Sequence, residues 1–309
     1  MVVKFFARIL GFFDRLFLVS LLDFETYFNL HKKLGFPIKK LYFFYIQKYR
    51  LNLNNPVTFN EKIIYRQLFE KNPLLLKIVD KYAVREYVKE KIGEKHLIPL
   101  LQVSDSFDDI DFSKLPNDYI MKMTHASGRN IIVKNGKNSY NYDRKELKRT
   151  IDNWFTEKYQ FQKLVWFVQQ IKRKIVIEEL LCDDGKIPKD YKFFVFDGKV
   201  EMIQVDQDRF TEHTRNLYDV KWNRMDCKIT HEQGLLDKRP DTLEQMIDLG
   251  ERLAYDFTFM RVDFYCIGSK IYFGELTPCP GGGLESFLPE TYDEYFGKKW
   301  KNHASLIRK

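Results

Sequence analysis

Two strand-like runs, Arg261-Val262-Asp263-Phe264-Tyr265 and Lys270-Ile271-Tyr272-Phe273-Gly274-Glu275, are separated by little more than Ile267-Gly268-Ser269, a natural turn. An antiparallel hairpin centred on position 269 sets Asp263 opposite Glu275 and Arg261 opposite Thr277, because strand side chains alternate with period two. Directly opposed Cβ atoms stand roughly 4.5–5.5 Å apart, so two carboxylates there repel unless positive charge lies between them. A hard divalent cation such as Mg2+, which takes carboxylate oxygens and leaves positions for phosphate oxygens, meets that need. A solvated hairpin whose acids pair with neighbouring Lys or Arg meets it too. Val262 and Phe264 point the other way, into a core. The hairpin runs on into Thr277-Pro278-Cys279-Pro280-Gly281-Gly282-Gly283, a backbone first rigid and then flexible.

A chain of 309 residues can bury about three quarters of its unfolded surface, enough for one large core or two cores sharing a cleft. With 44% hydrophobic and 16% aromatic residues, long disorder is excluded. The net charge of +8 draws anions without choosing among nucleotide, nucleic acid, acidic polysaccharide and anionic lipid. Cys182, Cys227, Cys266 and Cys279 have neither Cys-x-x-Cys spacing nor a nearby His cluster. That argues against zinc and against a disulfide framework, and fits a reducing cytosol. Residues 5–22 are mostly apolar but carry Arg8, Asp14 and Arg15, too many charges for a spanning helix, and no small-residue cleavage site follows. The remaining reading is an amphipathic helix that packs either on the protein's own core or in a membrane interface. The first is the preferred reading, and Lys32-Lys33 and Lys39-Lys40 just downstream lend the second some weight.

The capping-box pattern Thr58-Phe59-Asn60-Glu61 opens a helix to about residue 69. A second helix runs from near 80 to 93 with Val84, Tyr87, Val88 and Ile92 as its buried stripe. Short β runs follow at 119–123, 131–134, 175–179, 191–196 and 199–205, with Asp197-Gly198 as a two-residue hairpin turn between the last two. Helices fall at about 144–159 and, behind another capping-box pattern at Thr242, at about 242–255. Hairpins in place of strict crossovers favour an α+β architecture with antiparallel sheets.

Further candidate elements lie along this frame. Lys122 ends an apolar strand and precedes a loop of small and polar residues, Thr124-His125-Ala126-Ser127-Gly128-Arg129-Asn130, whose backbone N–H groups could cover phosphates or merely close a hairpin. Glu178-Glu179-Leu180-Leu181 ends another strand, where backbone groups can meet an adenine ring or the acids can simply be solvated. Asp190 and Lys192 share one face of the next strand, and Arg209, His213, Arg215 and Asn216 form an anion-friendly segment. Together these supply the lysines, arginines and metal-type acids that phosphoryl transfer requires.

The order of these elements resembles the ATP-grasp carboxylate–amine ligases. The runs Phe59-Asn60-Glu61-Lys62, Asp80-Lys81-Tyr82-Ala83-Val84-Arg85, Asp190-Tyr191-Lys192-Phe193-Phe194 and Gly274-Glu275-Leu276-Thr277 are similar to those of the TupA-like ATP-grasp family, over about residues 55–300. The resemblance implies an ATP-grasp fold, two α+β lobes with largely antiparallel sheets, preceded by a helical N-terminal segment. It divides the chain into a basic helical segment (1–55), a helical lead-in (56–115), a small lobe (116–180) and a large lobe with the metal site (181–309). It also implies that Lys81 and Lys122 bind ATP phosphates beneath the loop around Ser127 and Gly128, and that Glu178, Glu179 and Leu181 line the adenine end. Asp190 would sit near the ribose, and Asp263 and Glu275 would hold Mg2+. Arg261, with Lys192 and Arg215, would serve the chemistry, Arg261 steadying the oxyanion. The implied reaction is ATP-dependent joining of an amine, such as an amino acid, to a small-molecule or glycan carboxylate in cell-surface polysaccharide or teichuronopeptide synthesis. It would take place in the cytoplasm, with residues 1–22 as a peripheral membrane contact. Thr277 stands where many such ligases carry Asn, and the usual N-terminal βαβ domain is replaced by the helical first fifty-five residues. Two other classes compete: a glycosyltransferase using Asp206-Gln207-Asp208 to hold a nucleotide-sugar metal, and an anion-binding protein without catalysis. For the last, the basic residues are dispersed and no nucleic-acid motif stands out.

Overall fold

Local hydrogen bonding accounts for the helices that open the computed structural model, which describes residues 14–183, 185–207 and 213–301. A short π-helical segment, Asp14–Val19, is followed by α1 (Phe24–Lys33), α2 (Pro37–Gln47), α3 (Phe59–Phe69), α4 (Leu74–Val79) and α5 (Val84–Ile92). Asp23 caps α1 by accepting from the Thr26 N–H. The capping box at Thr58 forms as expected, and the Glu61 carboxylate also accepts from the Asn52 and Val57 N–H groups, tying the preceding loop to the helix. The second expected helix starts at Val84, not near residue 80. Asp80 Oδ1 accepts from the Tyr82 and Ala83 N–H groups and holds residues 80–83 in a turn. Its stripe of Val84, Tyr87, Val88 and Ile92 is buried as read.

Of the segment 5–22, residues 5–13 lie outside the described residues. The remainder packs on the protein itself: Asp14 is buried and accepts from Tyr27 Oη at 2.7 Å, and Val19 joins a core with Tyr27, Phe28, Phe43 and Leu68. Among the described residues no helix is long and apolar enough to cross a membrane.

The first sheet comprises β1 (Leu100–Ser104), β2 (Tyr119–Met123), β3 (Asn130–Lys134), β4 (Lys137–Asn138) and β5 (Ile175–Glu179) in the order β1-β5-β2-β3-β4, every pair antiparallel. α6 (Arg144–Thr156), capped by Asp143, lays Leu147 and Ile151 on it. The second sheet comprises β6 (Asp190–Phe196), β7 (Lys199–Gln207), β8 (Thr214–Tyr218), β10 (Phe259–Ile267) and β11 (Lys270–Thr277), ordered β11-β10-β6-β7-β8 and again antiparallel. Two short strands, β9 (Lys228–Ile229) and β12 (Phe287–Leu288), pair beside it. Asp197 and Gly198 make the expected two-residue turn, both with positive φ. α7 (Leu243–Ala254) packs with α5 against one face of this sheet, around Phe193, Val262 and Phe264. Its expected cap is not made: Thr242 gives no side-chain cap, and its Oγ1 lies 3.1 Å from Cys266 Sγ.

Along the opposite face the chemistry changes from one end to the other. Phe194, Met202, Leu217 and Phe259 pack under Phe59 of α3 and Phe296 of α8 (Thr291–Lys299). Two residues along the same strands, the same face carries Lys192, Gln204, Arg215 and Arg261, because alternation returns every second residue to it. The helices cover the aromatic end, and the charged end opens into a cavity.

The register of β10 and β11 depends on one irregularity. The turn holds two residues, Gly268-Ser269, since Ile267 pairs with Lys270, and that register alone would set Asp263 opposite Gly274. A bulge after Asp263 absorbs Gly274, so Asp263 faces Glu275 and Arg261 faces Thr277 as the sequence reading requires. A side chain at the bulge would be crowded, because a Cβ there would lie 3.1 Å from the Asp263 carbonyl oxygen and 3.2 Å from Tyr265 Cε2. Gly274→Val is expected to cost about 1–3 kcal/mol of stability, measured by urea denaturation.

Candidate active site

A cavity of about 540 Å³ lies between the two sheets, within the range that small-molecule sites occupy. Lys81, Lys122, Ser127, Gly128, Glu178, Glu179 and Leu181 line it on one side, and Asp190, Lys192, Arg261, Asp263 and Glu275 on the other. Of the thirteen residues to which the resemblance assigns a role, Arg215 does not line it, and neither do His125, His213 and Asn216 of the other polar segments. Arg215 stands one strand behind, donating through Nε to Asp206 Oδ1 at 2.7 Å, and Asp206 does reach the cavity.

Charge on the second-sheet side is organised by strand register. Asp263 of β10 sits across from Lys192 of β6, and one step along, Asp190 of β6 pairs with Asp206 of β7 and Asp206 with Arg215 of β8. The Lys192 ammonium is buried, bonds to Asp190, and lies 3.6 Å from Asp263 and 3.7 Å from Asp206. Arg261 grips Asp263 with two parallel bonds, Nε to Oδ1 at 2.7 Å and Nη2 to Oδ2 at 2.8 Å, and donates to Thr277 Oγ1 at 3.0 Å. Thr277 therefore serves as an arginine partner. Burial lowers the Arg261 pKa, but the attraction of Asp263 outweighs it and the net shift is upward. Burial likewise raises the Asp206 carboxyl, and Arg215 with Lys192 overcomes this and holds it well below the usual range. Gln204 Nε2 also donates to Asp206, and His213 Nε2 lies 3.2 Å from it. Asp184, Asp208 and Arg209 lie outside the described residues.

On the first-sheet side, Lys122 Nζ donates to Glu178 Oε2 at 2.7 Å, while the other oxygen accepts from Arg85 Nη1 at 2.6 Å. Arg85 is a site residue the sequence reading did not single out, although it lies within a run that carries the resemblance. Lys81 Nζ donates to the Ala126 carbonyl at 2.7 Å, anchoring the loop. Burial depresses its pKa, partly offset by the charge of Glu275. Within the loop, Gly128 has φ of +71°, and the Ser127 N–H donates to Tyr159 Oη at 2.9 Å. Arg129 pairs with Glu157.

Glu285 is a second residue missed. It lies ten residues past Glu275, packs over Gly281 and comes within 3.5 Å of Arg215. Burial pushes its pKa up, against the pull of Arg215 and Arg261. The sequence signal was the glycine run: a side chain at Gly281, whose φ is +58°, would occupy the place of the Glu285 side chain.

The TupA-like ATPgrasp family model matches residues 61–301 of this chain. Among solved structures it is similar to the D-alanine–D-alanine ligase from Bacillus anthracis complexed with ATP, at 16% identity and a TM-score of 0.43, over 75% of this chain and 66% of that one. The D-alanine–D-alanine ligase from Helicobacter pylori matches at 15% identity and 0.43, over 82% and 68%. The L-amino acid ligase from Bacillus licheniformis matches at 14% and 0.41, over 67% and 44%. The chain thus spans two thirds or less of the length of the Bacillus ligases. No curated protein sequence matches it.

His125, at the base of the loop, is buried with its Nδ1 unpartnered among the described residues. Burial, with the charges of Arg173 and Lys81, pushes its pKa down to about 4 from 6.5. Between these values the unfolded chain binds the proton and the folded protein does not, so stability present above pH 6.5 is lost as pH falls toward 4. His125→Gln is expected to flatten this dependence, read as the difference between the two proteins' urea midpoints from pH 7 to 4.

Proposed function

The chain belongs to the TupA-like ATP-grasp family, and on that premise we propose that it is an ATP- and Mg2+-dependent ligase joining an amine, in particular an amino acid, to a carboxylate. The observation that carries this reading is the convergence on one cavity of two phosphate-type lysines, a small-residue loop, an opposed acid pair and a partly buried arginine. The product belongs to a cell-surface polysaccharide or teichuronopeptide, made in the cytoplasm at the inner face of the membrane.

The substrate carboxylate is a poor electrophile. Its oxygen attacks the γ-phosphorus of ATP, the bond to the bridging oxygen breaks, and ADP leaves with an acyl phosphate formed. The amine nitrogen then attacks the acyl carbon, loses its proton, and phosphate departs with the C–O bonding pair. Lys81 and Lys122 neutralise phosphate oxygens. Lys122 is free to turn toward them, because Arg85 keeps Glu178 paired and no buried carboxylate is stranded. Glu179 and Leu181 line the adenine end, and Asp190 stands near the ribose. Arg261, a permanently charged guanidinium, neutralises the oxyanion of the second step, with Lys192 and Arg215 holding the aspartates around it in place.

Asp263 and Glu275 fit a hard cation: both are oxygen donors, they are paired across the hairpin, and the counter-charges of Asp263 are the side chains of Arg261 and Lys192. Among the described residues no three acids, histidines or cysteines converge as a metal cluster, so nucleotide phosphate oxygens would complete the set. When bound, Mg2+ neutralises charge on the phosphates. The glycosyltransferase alternative gains no support among the described residues: Gln207 is turned to the Leu235 carbonyl and Asp237, and Asp208 lies outside them.

Asp263→Asn and Glu275→Gln should each abolish Mg2+-dependent ATP binding in titration calorimetry and lower turnover by about 10² or more. Wild-type protein should release ADP and phosphate only when a carboxylate and an amine are both present. Binding of a UDP-sugar with no binding of ATP would overturn the ligase reading.

A further inference from the structure

The residues that follow α6 touch two distant parts of the molecule. Tyr159 Oη accepts from the Ser127 N–H at 2.9 Å and donates to the Ser127 carbonyl at 3.2 Å, while Gln160 Nε2 donates to the same hydroxyl at 2.7 Å. Glu157 takes two bonds from Arg129, at 2.8 and 2.6 Å. The stretch from Ser127 to Arg129, which lines the cavity, is therefore clamped at both ends.

Lys158, between these two clamps, reaches elsewhere. Its ammonium donates to the carbonyls of Val19, Ser20 and Leu22 at 2.7, 3.0 and 2.9 Å. These carbonyls stand at the C-terminal end of the first helical segment, where a cation satisfies orphan acceptors and opposes the helix dipole. Phe161 is buried in the N-terminal core, its ring 5.2 Å from that of Phe24. Within five consecutive residues, Glu157 and Tyr159 thus hold the cavity loop while Lys158 and Phe161 hold helices that precede the family-matched stretch.

We propose that residues 157–161 form a strap coupling the N-terminal helical segment to the cavity loop, with Tyr159 as the positioning residue. Seating of the N-terminal segment on Lys158 and Phe161 sets Tyr159, and Tyr159 sets the Ser127–Arg129 backbone before ligand arrives, sparing the binding step the cost of ordering it. That the ligand is the phosphate end of ATP rests on the ligase reading. The mechanical coupling does not.

The test uses the full-length chain with Tyr159→Phe, which keeps the ring, and Lys158→Met, which keeps the aliphatic stem. In hydrogen–deuterium exchange of the nucleotide-free protein, amides 126–130 should exchange about tenfold faster in both variants. Lys158→Arg should restore protection, which separates coupling from misfolding. Affinity for Mg2+-ATP should fall about tenfold, with kcat at saturating ATP within about twofold of wild type. Unchanged exchange at 126–130 in Lys158→Met overturns the coupling, even if Tyr159→Phe alone loosens the loop. Faster exchange with undiminished ATP affinity overturns the positioning role. Wild-type protein that binds no ATP overturns the ligase reading, and exchange still decides the strap.

Discussion

A lysine ammonium buried among three aspartates from adjoining strands organises the second sheet. Lys192 alone could not be desolvated cheaply, and Asp190, Asp206 and Asp263 alone would repel one another; together with Arg215 and Arg261 they form an alternating lattice. Breaking such a buried set by removing one member costs about 3–5 kcal/mol, because an uncompensated charge remains. The lattice sits where the aromatic packing of the same face ends, so the core supports it from one side and the cavity meets it on the other.

The opposite wall is built on the same economy of paired charge. Glu178 has two cationic partners from different elements, Lys122 from β2 and Arg85 from α5. That redundancy lets one partner be lent to a ligand while the carboxylate stays satisfied. The loop above them is held by bonds that come from outside its own hairpin, from Lys81 below and from Tyr159 and Glu157 beyond α6. Stability and site geometry are therefore the same set of interactions on both walls.

Much of this was legible in one dimension where the signal is local. Capping residues, the Asp197-Gly198 turn, apolar alternation and the order of the motifs are decided by neighbours in the chain, and they placed α3, the hairpins and twelve of the cavity-lining residues. The opposition of Asp263 and Glu275 was reached through the wrong turn: the three-residue turn read from the sequence is in fact a two-residue turn plus a bulge at Gly274, and the two descriptions agree beyond that point. β1 went unread because Leu100-Leu101-Gln102-Val103-Ser104 lacks a clean apolar alternation and is a strand only by pairing with β5. Thr242 shows the converse, a capping pattern whose side chain is drawn to Cys266 instead.

By itself the amino-acid sequence determined which residue types stand at which step of each strand, and hence which charges share a face, because alternation with period two is a property of the backbone. Tertiary structure alone decided the partners. Arg85 against Glu178, Tyr159 against Ser127, and Lys158 against the carbonyls at residues 19–22 join positions 93, 32 and more than 130 residues apart. Side-chain pairing over such separations leaves no periodic trace in the chain, since it depends on how sheets and helices pack and not on the conformation of any one segment.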